Sequence, residues 1–180
     1  MIGSNPSKGD NNREMLSSIL VLGVGNVLLQ DEGIGVHAVQ RLNERYRLPP
    51  NVRVADGGVQ GLDLLPMLDG VESLLVVDAI DTGGSPGAIV RLEGEAIPAA
   101  LALKMSMHQV GLQDLLGLSR LQGTLPSRVV LWGMQPAAID WGLELSPAVA
   151  ARLDGLVEAV AGELGDWGVA VESLGGTADS

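Results

Sequence analysis

Four short stretches of this chain carry side chains able to do chemistry, and all are carboxylates or imidazole. Asp31 and Glu32 stand together in an otherwise apolar run, NVLLQDEGIG. Asp78 closes the run SLLVVD, with Asp81 three residues on, and His108 lies in MHQVG. Taken singly, each has a plain structural reading. Asp31 or Glu32 could be acids favoured by the dipole at a helix start, Asp78 a strand-end acceptor, and His108 a satisfied histidine. Taken together, two carboxylates and one imidazole form an oxygen- and nitrogen-rich set suited to a divalent first-row metal. Three protein ligands leave positions open for substrate or water. The other histidine, His37, is expected on the solvated face of a helix, opposite Ile34, Ala38 and Leu42, and is set aside. Asp56-Gly57-Gly58 is a further motif, with Asp56 either a turn-former or a substrate contact.

Two familiar-looking motifs fail on physical grounds. Gly23-Val24-Gly25-Asn26 follows an apolar run, but a dinucleotide fingerprint needs glycine three positions after Gly25, where Leu28 stands. Asp31 and Glu32 ahead of the helix would also repel phosphate. Gly83-Gly84-Ser85-Pro86-Gly87 has the spacing of a nucleophile elbow. There the residue after the serine must donate its backbone N–H, and Pro86 has none.

The elements that must hold these residues are legible from periodicity. Ile19–Gly23, Val52–Ala55, Ser73–Val77, Ala88–Leu92 and Arg128–Gly133 are predicted strands, the fourth at a sheet edge. Helices are predicted from Gly33 to about Arg47, over Leu62–Leu68, over about Gln109–Leu118 with Ser106 as cap, and from Ser146-Pro147 to Leu164. Buried strands alternating with helices predict an α/β three-layer sandwich, with a mostly parallel, twisted five-stranded sheet between helices. Functional residues in such sheets gather beyond the carboxyl ends of the strands. That rule points to the loops after Gly23, Ala55, Val77 and Leu92. Residues 1–18 and 173–180 read as disordered ends around one domain, 19–172.

Composition narrows the function. The chain has 180 residues, 46% hydrophobic and 18% charged, enough to bury one substantial core. A formal net charge of −11 argues against nucleic acid and anionic membranes. With no cysteine and two histidines, disulfides and thiolate metal sites are excluded, and any metal must rely on carboxylates. No signal-peptide core or membrane-length apolar run occurs, so a cytoplasmic protein is expected, and with no heptad or obvious edge motif a monomer.

In order, the blocks Ile19–Val39, Asp56–Leu65, Leu74–Ile80 and Met107–Leu116 resemble the maturation endopeptidases of [NiFe] hydrogenases. The likeness spans roughly Ile19 to Val171. It implies a protease that removes a C-terminal extension from the hydrogenase large-subunit precursor once nickel is loaded. It implies Glu32, Asp78 and His108 as ligands of nickel carried by the substrate, a site that Cd²⁺ could also occupy. Asp78 and Glu32 are the candidate catalytic carboxylates, with Asp56 a weaker candidate base. The chain departs from the family pattern at Val59, where threonine is common, and at Met107, where proline is common. Two other readings stay open. One is a nucleotide- or flavin-binding module using the Gly23–Asn26 turn; the other is a non-catalytic nickel-sensing chaperone.

Overall fold

The computed structural model describes residues 17–102 and 107–175, with the side chains of Met107 and His108 outside that description. Strand β1 (Ile19–Val24) is buried along its whole length, as is β4 (Ser73–Ala79). Both are runs of Leu, Val and Ile, which suit a parallel strand covered on two faces. With β3 (Val52–Gly58), β5 (Ile89–Glu93) and β6 (Arg128–Met134) they form one sheet of order β3-β1-β4-β6-β5. The first three contacts in that order are parallel, whereas β5 runs antiparallel to β6. The expected α/β sandwich with a mostly parallel five-stranded sheet is therefore found. One detail is corrected: because β5 is reversed, the loop after Leu92 lies at the opposite edge from the loops after β1, β3 and β4.

Strand alternation sorts the core into two layers. Ile19, Val21, Leu75 and Val77 face α1 (Ile34–Arg45) and α5 (Leu153–Asp166). Leu20, Leu22, Leu74 and Val76 face α3 (Met107–Gln122), α2 (Ala96–Ala102) and a 3-10 segment, Gly61–Leu68. Gly35 explains how closely α1 settles on the sheet. A β-carbon there would run into the carbonyl oxygens of Val24 and Val77.

Several boundaries differ from expectation for local reasons. Helix α1 stops at Arg45, because Tyr46–Arg47 (β2) pairs antiparallel with Glu172–Ser173 (β7). Ser173, expected in a disordered tail, is thereby paired. At the other end Ser17 and Ser18 are tied down too: Ser18 O accepts from Glu72 and Ser73 N–H at 2.9 and 3.2 Å. The remainder of the expected N-terminal extension, and the predicted Ser106 cap, lie outside the described residues. The C-terminal helix is two pieces, α4 (Pro147–Ala150) and α5, joined by a tight turn at Ala151-Arg152. Helix α2, absent from the sequence reading, begins within two residues of β5.

His37 is also corrected. It is half-buried, and its Nε2 is shut away from solvent with no hydrogen-bond partner among the described residues. The α1 helix packs on both the sheet and α5, so burial extends past one stripe to Val36 and Val39.

On the α5 side, Glu163 is 6% exposed and accepts four hydrogen bonds. Arg91 donates two at 2.7 and 2.9 Å, and the indole N–H groups of Trp132 and Trp167 donate at 3.1 and 2.9 Å. The Arg91 guanidinium, against the cost of burial and with help from the indoles, holds this carboxyl below its usual range. The network pins α5 to β5 and β6.

Candidate functional site

Register brings the carboxyl ends of β1, β3, β4 and β6 to one edge. Gly23 pairs with Asp56 and Val77, and Asp78 pairs with Gly133. Three sequence-selected residues, Glu32, Asp78 and Asp56, therefore belong to the same rim.

Asp78 is fully buried and its Oδ1 accepts from Ala79 N–H at 2.7 Å. It shares strand parity with Leu74 and Val76, so its side chain leaves the sheet on the α3 side. The start of α3 is tethered to the same point: Gln109 Nε2 donates to Ala79 O at 3.1 Å. His108 thus belongs to a helix turn anchored at the residue after Asp78. Its side chain lies outside the described residues, and no group of three metal-binding side chains occurs among the described ones.

Glu32 is 5% exposed and sits in the 3-10 turn Gln30–Gly33 that leads into α1. Glycines let this turn fold tightly onto β1. Gly25 has φ +134°, and a β-carbon there would strike the Glu32 carbonyl. Gln30 adopts φ +46°, a left-handed conformation that costs a non-glycine residue about 1–2 kcal/mol. Two backbone bonds to the 138–142 loop hold the strained turn in place. Gln30 N–H donates to Gly142 O at 2.9 Å, and Asp31 N–H to Ala138 O at 3.2 Å.

Asp31 proves to be a structural carboxylate. It is fully buried and accepts four hydrogen bonds from one distant loop. Ala137 N–H and Ala138 N–H reach Oδ2 at 2.9 Å, Ser146 Oγ–H reaches Oδ2 at 2.7 Å, and Ser146 N–H reaches Oδ1 at 2.7 Å. Burial by itself would raise the Asp31 pKa; the Ser146 hydroxyl and the three amides outweigh it and hold the group below its ordinary value. Ser146 stands at the predicted N-cap, yet its hydroxyl makes no cap bond because it is committed to Asp31. Asp31 and Glu32, adjacent in sequence, thus divide into a tether and a rim residue.

Asp56 is exposed, and its Oδ1 accepts from Gly58 N–H at 2.9 Å. That is the turn-forming alternative. The Gly23–Asn26 turn offers little to a phosphate, since its neighbouring amides are used internally. Gly25 N–H donates to Gly58 O, Leu28 N–H to Asn26 Oδ1, and Leu29 N–H to Asn26 O. Sequence reading missed Gln109 and Ser146, both positioning residues. The sequence placed Gln109 only at the start of a helix beside His108, and Ser146 only as a helix cap. A cavity of about 750 Å³ lies at the far end of the sheet, between α2, α3 and the start of β6, away from this chemistry.

Comparison with known proteins agrees with this architecture. The family model described as hydrogenase maturation protease matches residues 36–163. The HupD hydrogenase expression/formation protein of Rhodobacter capsulatus is 48% identical over 155 residues, 85% of this chain and 74% of the relative. The hydrogenase 2 maturation protease of Escherichia coli is 40% identical over 152 residues, 84% of this chain and 93% of the relative. Among solved structures, the hydrogenase maturating endopeptidase HybD of E. coli superposes with a TM-score of 0.83 at 39% identity, covering 87% of this chain and 98% of that one. A [NiFe] hydrogenase maturation protease from Thermococcus kodakarensis gives 0.68 at 31% identity, covering 82% and 98%. Sequence along most of the chain and the sheet that carries the rim lead to one conclusion: the chain belongs to the hydrogenase maturation protease family.

Proposed function

We propose that this protease removes the C-terminal extension of a [NiFe]-hydrogenase large-subunit precursor after nickel insertion. In this reading the nickel arrives with the substrate and is recognised by Glu32, Asp78 and His108. The observation that carries it is the burial of two carboxylates, Glu32 and Asp78, at one strand edge of a family protease. Two carboxylates and the imidazole of His108 would make an oxygen- and nitrogen-rich set suited to a divalent cation carried by the substrate, with positions left open.

The chemistry follows from that placement. The metal polarises the scissile carbonyl or activates a water, and Asp78 or Glu32 accepts the proton. Asp56, exposed and occupied with its own turn, is a poor base by comparison. The nucleotide-module alternative lacks support, because the turn amides are spent and buried acids come directly after them. The chaperone alternative would use the same trio without cleavage.

The test is to incubate the protein with nickel-loaded and nickel-free precursor and weigh the products. Cleavage of the loaded form alone is expected. Replacing Glu32, Asp78 or His108 by Ala should abolish cleavage with the fold retained by circular dichroism. Normal processing by all three variants would overturn the assignment, and nickel-dependent binding without cleavage would favour the chaperone.

A further inference from the structure

The loop that tethers Asp31 also presents apolar side chains to solvent. Ile139 is 55% exposed, Trp141 81% and Leu143 66%, and Leu28 on the adjoining turn is 50% exposed. These are not on a slack segment. Gly142, between Trp141 and Leu143, donates to Leu28 O and accepts from Gln30 N–H, both at 2.9 Å. On either side, Ala137, Ala138 and Ser146 are bonded to the Asp31 carboxylate. The apolar residues are therefore held out on a fixed platform, joined through Gln30 and Asp31 to the turn that carries Glu32. Large apolar side chains kept exposed on a rigid support mark an interaction surface.

Charge indicates what covers it. The rim loops 24–33, 56–63, 78–88 and 135–146 contain no Lys or Arg, and while Asp31, Glu32 and Asp78 are buried there, Asp56, Asp63, Asp140 and Glu144 stand exposed. Asp140 and Glu144 are exposed and interleave with Ile139, Trp141 and Leu143. Such a surface repels acidic chains and favours an apolar segment flanked by basic residues. An exposed Trp is the residue type that most often anchors such contacts.

We propose that Leu28, Ile139, Trp141 and Leu143 form the docking platform for the precursor polypeptide, seating an apolar, basic-flanked stretch of it beside the Glu32–Asp78 rim. This rests on the proposed cleavage function and names how its substrate is held. The platform sets affinity for the precursor and leaves the chemical step alone.

The experiment is steady-state cleavage of nickel-loaded precursor by the wild type, by the double variant Trp141→Ser/Leu143→Ser, and by Leu121→Ser. Leu121 is 85% exposed near the far end of α3 and serves as the control. The double variant should raise KM about tenfold with kcat within twofold, an unchanged melting temperature and the control unaffected. The wild-type KM should rise between 50 and 300 mM salt, as charge attraction is screened. A double-variant KM within twofold of wild type would overturn the platform. So would a salt-independent wild-type KM, or sedimentation showing that the patch instead pairs two copies of this chain with cleavage unaffected by its loss. If the wild type fails to cleave the loaded precursor, the function itself falls, and the two failures are distinguished.

Discussion

Asp31→Asn isolates the tether from the chemistry it supports. The native carboxylate is fully buried and receives three donors on Oδ2 and one on Oδ1. Asparagine can keep its carbonyl towards Ala137, Ala138 and Ser146 Oγ, but its NH₂ must then face the Ser146 N–H. One bond to a charged acceptor is lost, at about 1.5–3 kcal/mol. The other three weaken from charge-assisted to neutral, about 0.5–1 kcal/mol each. No longer burying a charge returns about 1–2 kcal/mol. The net loss is about 2–4 kcal/mol. For a chain of this size that lowers Tm by roughly 4–16 °C. The assay is urea and thermal unfolding of both proteins across pH. The folded-state pKa of Asp31 lies below its ordinary value of 3.8, so its contribution is fully present above that value. It is lost as pH falls through the folded-state pKa, and the gap between wild type and variant should close there. A loss under about 1 kcal/mol at neutral pH, or a gap that widens on acidification, would refute the tether. Because the loop also fixes the Glu32 turn, cleavage should fall even where the variant is fully folded.

Two further outcomes concern the rim. Gly35→Ala would drive a methyl group into the Val24 and Val77 carbonyls, so α1 must lift from the sheet. It should cost about 1–3 kcal/mol or more, read by denaturant midpoint, and a loss under about 1 kcal/mol would contradict the close approach. Asp56→Asn keeps the acceptor that turns the chain onto Gly58. Stability should stay within about 0.5 kcal/mol and kcat within about twofold; a hundredfold fall in kcat would restore Asp56 as a base.

Much of this protein was legible in one dimension. The runs ILVLG and SLLVV are so continuously apolar that only strands covered on both faces could bury them. Asp78 at the end of one such strand and Glu32 in the loop that follows the other come to a sheet edge whatever the remaining details. Those local facts fixed the layers, the rim and the candidate residues, because each depends on a few neighbouring side chains and the period of the backbone.

Roles that depend on distant partners were decided only in the folded chain. Asp31 and Glu32 are equivalent as neighbours in sequence. What separates them is a loop more than a hundred residues later, whose amides and Ser146 hydroxyl converge on Asp31 alone. The direction of β5 turned on its pairing with β6, which hydropathy does not encode. That α5 packs on α1 as well as the sheet does was equally unread. Periodicity reports the face a helix must bury; it is blind to further faces that later segments cover and to the acceptors those segments choose. The sequence alone named the acids of the rim. The tertiary hydrogen bonds determined that Asp31 builds the rim and left Glu32 and Asp78 as the candidates to work on it.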